Sequence, residues 1–516
     1  MSKRMTIAQG AALLAISSYV SKLLSFFYRI PYQNMAGDVG LYVYQTVYPL
    51  FAIAAALGIY ALPVVVAKLT LHHPEEKREV LWAIFFVLSG MSLILGTLGW
   101  WIAPEVARLF GDAQLVEPLR AVTFTFYLLP VIAVLRGMFQ ADLEMRPTAF
   151  SQITENAVRV CLLLLVTYYG VQVGANPYQI GASAHMTALG GSVASLILLL
   201  RFAKGRIGRP VVSKQHIRRV GRVLLTSGMA VSIASLALLL MQLIDGLTFV
   251  NLLGDSIETK MEKGIFDRGY PLLQFAILFA TSISLASVPT LLLEYRKRND
   301  TATKHHLETL LRSGLLIAAA ATVGLVGVMR PLNIALYQDD NGTMALSWLA
   351  ATGFTASLSM IIVSCLQSVD AEKYAFAGVI VGLAVKFGLN IWLIPAYGMT
   401  GAGMATFGGF AVMAAAQLIL LNRKFGRVTA GRAFYIKLMK AVLPMAIFLY
   451  VIEQLFQLSG WESRIGATIE VGLLVLGGAI VFCIFALRIG VLTEREWALL
   501  PFGEKLYRIH QRRGII

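Results

Sequence analysis

Long apolar runs follow one another along almost the whole chain, and short polar or charged segments separate them. Each run has about 20 residues or more, enough to cross a hydrocarbon core of about 30 Å as an α-helix. We count fourteen, at residues 7–28, 41–67, 80–102, 117–139, 148–170, 179–200, 222–250, 268–292, 309–329, 344–366, 374–394, 401–421, 436–456 and 465–487. The pattern predicts an all-α, polytopic membrane protein with about 14 transmembrane helices.

An internal repeat relates the two halves of the pattern. A glutamine, the first basic residue after it and a basic residue inside an apolar run recur 227 positions later. The matching pairs are Gln140 and Gln367, Arg146 and Lys373, and Arg159 and Lys386. Gly190-Gly191 and Gly408-Gly409 occupy matching places in the sixth and twelfth runs. The repeat predicts two lobes of six helices, because an even number of spans gives both copies the same orientation.

The predicted organisation has three parts: an N-lobe at 1–205, a C-lobe at 206–425, and two further helices with a cytoplasmic tail at 426–516. With a cytoplasmic N-terminus, 32 of the 44 lysines and arginines fall on the cytoplasmic side and seven on the other. This split predicts that both termini are cytoplasmic. The net charge of +16 then serves orientation and contact with anionic membrane lipids, and the pattern disfavours nucleic acid as a partner.

Two basic residues lie near the middle of predicted spans. Arg159 is eleven residues into its run, about 16 Å deep, and Lys386 reaches the same depth. Cations in hydrocarbon are costly and face a bundle interior or a wet cavity. Glu155 lies four residues before Arg159, so these two side chains are equally well explained as a structural ion pair. Lys386 has only Asn390 within one turn and is the stronger candidate for a cation that binds a ligand.

Several stretches resemble the multidrug/oligosaccharidyl-lipid/polysaccharide exporter superfamily, in the branch that contains stage V sporulation protein B and the lipid II flippase MurJ. The first is Ser21-Lys22 through Pro31 with Gly37-Asp38-Val-Gly40. The others are Arg136-Gly137-Met-Phe-Gln140, Glu155-Asn-Ala-Val-Arg159, Phe266-Asp267-Arg268-Gly269-Tyr270-Pro271 and Lys386-Phe-Gly-Leu-Asn390. Departures are Ala61-Leu62-Pro63, where the branch has Gly-Ile-Pro, and the charge-dense loop 251–263.

The resemblance implies a flippase for undecaprenyl-pyrophosphate-linked saccharides that works by alternating access, and it implies a groove for the lipid tail along the last two helices. It also implies that Lys22, Arg29 and Arg268 join Arg159 and Lys386 as cavity cations. Arginine suits this substrate because its planar fork donates two parallel hydrogen bonds to a phosphate. For Lys22 and Arg29, snorkelling to the headgroups is the alternative.

Two acidic residues and a tyrosine cluster complete the candidates. Asp38 either orients Arg29 or Arg268 or forms part of a turn, and we favour the turn. Asp245, near the outer end of its run, is either a site for a coupling cation or proton or a simple helix-end carboxylate. Tyrosines 42, 44 and 48 start the second run, and we interpret them as an interfacial belt rather than a sugar-stacking surface.

No catalytic, cofactor or metal motif is apparent. The three cysteines all lie in apolar runs without zinc spacing, and no Walker-type glycine loop is present. We therefore expect a transporter and not an enzyme, with no bound cofactor and any drive coming from the membrane potential, Na⁺ or H⁺. The alternatives are a cation-coupled multidrug exporter, which needs buried carboxylates, and a non-transporting scaffold that recruits cell-envelope synthesis enzymes. Peptidoglycan, spore cortex and other polymers remain equally compatible end products.

Overall fold

Helices form every regular element in the described part of the chain, which a computed structural model gives as residues 7–56, 62–72, 75–206, 208, 213, 215–218, 220–221, 236–460, 463–497, 503 and 507. In chain order they are α1 (Ile7–Phe27), α2 (Arg29–Ala56), α3 (Leu62–His72), α4 (Lys77–Leu109), α5 (Val116–Ala141), α6 (Met145–Gln172), α7 (Pro177–Ala203), α8 (Ala237–Leu253), α9 (Ile257–Asp267), α10 (Gly269–Arg296), α11 (Asp300–Gly327), α12 (Met329–Tyr337), α13 (Thr343–Ser368), α14 (Glu372–Phe425), α15 (Arg432–Ser459), α16 (Arg464–Arg488) and α17 (Glu494–Trp497).

Ten helical segments within those residues are long and apolar enough to cross a membrane. The predicted all-α, multi-span class is confirmed, while the exact number of fourteen stays a prediction. One reason for the smaller count is that α14 contains two predicted runs, 374–394 and 401–421, in one segment of 54 residues. Gly398 separates them with a φ of 54°, a left-handed conformation that glycine adopts without steric cost.

Two compact units, Met1–Gly264 and Ile265–Ile516, divide the chain by its internal contacts. In the first unit, α6 and α7 pack closely, α5 packs on α4 and α7, and α1 packs on α6. In the second, α13 packs on α14, α10 and α11, while α15 packs on α16. This division follows contacts and not repeats, so the predicted lobes at 1–205 and 206–425 and the third part at 426–516 stay predictions.

Close helix contact at glycines is shared by the two copies of the repeat. A Cβ atom on Gly191 of α7 would lie 2.5 Å from the carbonyl oxygen of Glu155 and 3.1 Å from Cβ of Arg159. A Cβ atom on Gly409 of α14 would lie 2.8 Å from Cβ of Lys386. Small residues allow membrane helices to approach this closely. Arg159 and Lys386 therefore each lie at a glycine contact within their own unit.

Helix ends also follow local sequence rules. Asn176 caps α7 by accepting from the backbone nitrogen of Gln179 at 2.9 Å, and the Gln179 side chain accepts from the backbone nitrogen of Asn176 at 3.2 Å. Pro177 occupies the first helical turn, where its missing N–H costs nothing. This capping box fixes where α7 begins, and with it the register that places Gly191 against Arg159.

The glycine contact predicts a matched pair of stability effects within α14. The change Gly409→Ala places a methyl group against Lys386, and we expect a cost of about 1–3 kcal/mol from overpacking. The control Gly388→Ala adds the same methyl where no atom lies within 4 Å, so its stability should be unchanged or slightly raised. Thermal unfolding of the purified protein measures both, and equal melting temperatures for the two variants would contradict the packing account.

Candidate functional site

The five predicted cavity cations are divided between the two units of the structure. Arg29 and Arg159 lie in the first unit, at 2% and 6% exposure, and Arg268 and Lys386 lie in the second, at 1% and 0%. Lys22 belongs to α1, but its side chain is outside the described residues. Snorkelling of Arg29 to a membrane surface is therefore wrong, because its side chain is buried. Burial of these four cations is the feature that the site chemistry has to explain.

Aromatic rings surround both arginines of the first unit. Cζ of Arg29 lies 4.5 Å from the ring centre of Tyr48 and 6.0 Å from that of Tyr28. Cζ of Arg159 lies 5.0 Å from the ring centre of Phe51 and 5.5 Å from that of Tyr28. The Tyr28 ring is thus shared by the two guanidinium groups. Cation–π contacts stabilise a buried cation without neutralising it. We call Arg29, Arg159, Tyr28, Tyr48 and Phe51 the arginine–aromatic site.

Hydrogen bonding leaves part of Arg159 unsatisfied. Its Nη2 atom donates to Oγ of Ser25 over a long 3.4 Å, and its buried Nε atom has no acceptor among the described residues. No salt bridge within the described part of the chain includes Arg159. A buried donor without an acceptor costs free energy, so this position favours an incoming acceptor group such as a phosphate oxygen.

Hydrogen bonds and ring stacking fix the positions of the aromatic residues. The hydroxyl groups of Tyr28 and Tyr44 lie 2.7 Å apart, and the Tyr44 ring stacks on the His185 ring with centres 4.5 Å apart. Nε2 of His185 donates to the carbonyl oxygen of Tyr44 at 3.2 Å. The interfacial-belt interpretation is wrong for Tyr42 and Tyr44, which are 1% and 2% exposed. These tyrosines hold the first unit together instead of facing lipid headgroups.

Glu155 has a partner other than the one weighed from the sequence. Its Oε2 accepts from Nη2 of Arg136 on α5 at 2.7 Å, and Oε1 accepts from Oγ of Ser192 on α7 at 3.4 Å. The Glu155–Arg159 ion pair is therefore absent in this conformation. Sequence spacing within α6 could not reveal this, because Arg136 reaches Glu155 from another helix.

Lys386 is buried among different groups in the second unit. Its Nζ donates to Oγ1 of Thr406 at 2.5 Å, and Thr406 in turn donates to the carbonyl oxygen of Ala402 at 2.7 Å. Asn390 follows one turn later in α14 and is fully buried. The structure thus confines Lys386 to a polar contact between the two arms of α14, on either side of Gly398.

Arg268 is neutralised within its own unit. Its Nη1 and Nη2 atoms donate to Oδ1 and Oδ2 of Asp339 at 2.8 and 3.0 Å, a bidentate pair. The guanidinium also lies 5.0 Å from the ring centre of Tyr337, whose hydroxyl donates to the carbonyl oxygen of Arg268 at 3.3 Å. Asp339 follows short helix α12, and nothing in the sequence pattern pointed to it. Arg268 therefore acts in this structure as a link between the start of α10 and the end of α12.

The two candidate carboxylates lie on different helices of the first unit, Asp38 on α2 and Asp245 on α8. Asp38 is half-buried in α2 and accepts from Nε2 of Gln33 at 3.0 Å. It follows Gly37, whose φ of 71° bends the helix, so a local bend replaces the expected turn. Asp245 in α8 has 0% exposure, which contradicts its interpretation as a simple carboxylate at a helix end.

A second polar cluster in the first unit was missed by the sequence analysis. Oδ2 of the fully buried Asp112 accepts from the hydroxyls of Tyr42 and Tyr178 at 3.0 and 2.7 Å and lies 3.2 Å from Nζ of Lys260. Lys260 also lies 2.6 Å from Asp255. Burial alone would lower the pKa of Lys260, but its hydrogen bonds with Asp255 and Tyr178 and the charge of Asp112 raise it. This cluster keeps its charges paired near neutral pH and joins α2, α7 and α9.

Comparison with known proteins decides the family. A model of the family described as "Polysaccharide biosynthesis protein" matches residues 7–292. The uncharacterized membrane protein YabM of Bacillus subtilis is 34% identical over 99% of this chain and 98% of its own. This chain belongs to the polysaccharide biosynthesis protein family.

Further similarities place this family member within the predicted superfamily. The lipid II flippase MurJ of Bacillus subtilis is 22% identical over 96% of this chain and 97% of its own. A solved structure of the lipid II flippase MurJ in an inward closed conformation has a TM-score of 0.69 at 16% identity, covering 93% of this chain and 99% of that one. The predicted membership of the exporter superfamily, in its MurJ-like branch, is confirmed. The family member is thus a multi-pass membrane transporter and not an enzyme.

The Arg268 pair predicts unequal effects for two adjacent acidic residues of this family member. Asp339→Asn leaves a nearly inaccessible guanidinium without its carboxylate, at a cost of about 2 kcal/mol after allowance for the partial exposure of Asp339. Asp340→Asn is the matched control, because Asp340 is 53% exposed and pairs with the half-buried Arg330 at 3.3 Å. We expect less than about 1 kcal/mol there. Thermal unfolding that ranks Asp340→Asn as the more damaging change would refute the assignment.

Proposed function

We propose that this protein is a flippase that moves an undecaprenyl-pyrophosphate-linked saccharide, such as a lipid II-like or polysaccharide precursor, across the bacterial plasma membrane. The proposal has three supports: the polysaccharide biosynthesis family, the similarity to a protein named for lipid II transport, and the buried cations. In it, the two repeats alternate between inward-open and outward-open states, with the charge pattern of the loops placing both termini in the cytoplasm.

The observation that carries the proposal is the pair of arginines on one tyrosine ring. Arg29 and Arg159 both lie within about 6 Å of Tyr28, and Arg159 has no carboxylate partner among the described residues. Like charges brought together in a low-dielectric interior repel, so their proximity is stable only with stabilising surroundings or an anion. A pyrophosphate offers two negative phosphates with several acceptor oxygens, which matches two guanidinium forks.

The other three cations have different roles in this proposal. Lys386 is the counterpart of Arg159 in the repeat and supplies the corresponding charge from the second lobe. Arg268 would have to leave Asp339 before it could bind a phosphate, so we assign it a role only in another conformational state. We include Lys22 as a substrate-binding cation because of the family resemblance. We assign the driving force for transport to the membrane potential, Na⁺ or H⁺, with Asp245 as the candidate carboxylate for ion coupling.

A surface groove on α15 fits the lipid part of the proposed substrate. It is open to the surface, has a volume of about 520 Å³ and is lined by six apolar residues and one lysine: Lys440, Leu443, Pro444, Ile447, Phe448, Val451 and Ile452. Such a lining is suited to a polyprenyl chain, which buries hydrocarbon surface and makes no hydrogen bonds. Because every lining residue belongs to α15, the groove supports a tail-binding role for the first of the last two helices.

A multidrug exporter of cations is less well supported by the same geometry. Such a transporter needs buried carboxylates that attract its substrate. Glu155 and Asp112 are instead held by Arg136 and Lys260, at 2.7 and 3.2 Å. Arg159, in contrast, has no carboxylate partner among the described residues, which favours an anionic substrate. A scaffold without transport activity would leave the energetic cost of these buried arginines without a role.

Translocation in proteoliposomes tests the proposal directly. We expect movement of a fluorescent undecaprenyl-pyrophosphate saccharide, followed by a membrane-impermeant quencher, to fall at least tenfold in Arg159→Gln and in Lys386→Ala. The fall reflects lost contacts to the phosphates, each of which is worth about 1.5–3 kcal/mol as a charge-assisted hydrogen bond. Folding is checked by size-exclusion chromatography and thermal unfolding of each variant.

Arg120→Gln is the matched control for this assay. Arg120 is also an arginine on a spanning helix of the first unit, and its guanidinium lies 4.9 Å from the ring centre of Trp100. Because its ring contact does not involve Tyr28, its loss should leave translocation within about twofold of the wild-type rate. Wild-type translocation in Arg159→Gln, or an equal loss in Arg120→Gln, would defeat the proposed function.

A further inference from the structure

Arg136 is the centre of a buried polar network in the first unit. It lies on α5 with 0% exposure, and its Nε donates to Oγ of Ser151 at 2.9 Å. Its Nη2 donates both to Oε2 of Glu155 at 2.7 Å and to Oγ of Ser195 at 3.1 Å. The network joins α5, α6 and α7, with the arginine held in one orientation by partners on two helices. A fixed guanidinium binds a carboxylate with little further loss of side-chain entropy.

The carboxylate that Arg136 holds has a second possible partner one turn away. Glu155 and Arg159 are four residues apart on α6, a spacing at which Glu and a basic residue contact each other on a helix surface. In a low-dielectric interior this contact would be strong, and it would cancel the charge of Arg159. The structure instead shows Glu155 on Arg136 and Arg159 over the rings of Tyr28 and Phe51.

The second copy of the repeat lacks both members of this pair. At the spacing of 227 residues that relates Arg159 to Lys386, the position of Glu155 corresponds to Gly382 and that of Arg136 to Val363. The helix contacts agree with this correspondence. A Cβ atom on Gly191 would contact Glu155 and Arg159, and a Cβ atom on Gly409 would contact Gly382 and Lys386. The acid and the arginine are thus present together or absent together in this chain, as expected if one residue serves the other.

We propose that Arg136 is a positioning residue that holds Glu155 away from Arg159 and thereby leaves the Arg159 guanidinium without a neutralising carboxylate and available to a phosphate. This inference rests on the proposed function, since it assigns Arg159 an anionic ligand. Arg136 does not touch the substrate in this account. Its effect on binding is electrostatic and acts through Glu155, so removal of the glutamate should remove the need for the arginine.

A binding experiment on the full-length protein tests this dependence. We would measure the affinity of farnesyl pyrophosphate for purified protein in nanodiscs by calorimetry, with farnesol as the probe for tail binding alone. Arg136→Met should weaken farnesyl pyrophosphate binding at least tenfold, because the released Glu155 pairs with Arg159. Glu155→Gln should tighten binding by a few-fold, because one negative charge near the phosphate is removed.

The double variant separates positioning from a purely structural role. Arg136→Met combined with Glu155→Gln should restore the affinity to within about threefold of wild type, although its melting temperature stays below wild type. The matched control is Asp112→Asn, which breaks a different buried network of the same unit. It should lower the melting temperature without lowering the affinity for farnesyl pyrophosphate.

Four outcomes would overturn the inference. Wild-type affinity in Arg136→Met, or a double variant that is folded and still as weak as Arg136→Met, would show that Arg136 does not act through Glu155. In both cases the proposed function would still be supported if Arg159→Gln no longer bound farnesyl pyrophosphate. If Arg159→Gln binds farnesyl pyrophosphate like wild type, or farnesol binds equally well, the proposed function and the inference fail together.

Discussion

A buried arginine in a membrane protein must be stabilised without a shell of water, and Arg159 meets this constraint without a carboxylate among the described residues. Its guanidinium lies over Tyr28 and Phe51, while Gly191 lets α7 approach the backbone beside it. Aromatic rings lower the cost of burial and leave the positive charge in place. Both the rings and the close glycine contact depend on how α1, α2, α6 and α7 are arranged.

The two copies of the repeat use similar packing for different electrostatics. Both bury a cation against a glycine, but Arg159 is surrounded by aromatic rings, whereas Lys386 donates to the hydroxyl of Thr406. The buried arginine of the second unit, Arg268, is neutralised by Asp339. In the first unit, the guanidinium of Arg159 has no carboxylate partner among the described residues.

Hydropathy and spacing predicted the all-α, multi-span class and the burial of Arg159 and Lys386, because these depend on the pattern along one helix. The partners of the charged side chains could not be predicted in this way. Arg136 reaches Glu155 from α5, and Asp339 reaches Arg268 from the end of α12. The burial of Tyr44 likewise depends on Tyr28 and His185, which are distant in sequence. Contacts between helices decide which charge is neutralised, and no single-helix periodicity encodes them.

In the proposed mechanism, the arginine–aromatic site receives the pyrophosphate of a lipid-linked saccharide. A structure of the protein in nanodiscs with undecaprenyl pyrophosphate, determined by electron cryomicroscopy, would show where the phosphates bind. We expect phosphate density within hydrogen-bond distance of Arg159 Nε and of the Arg29 guanidinium, with Glu155 still on Arg136. Phosphate density elsewhere, with the arginine–aromatic site unchanged and empty of ligand, would contradict it.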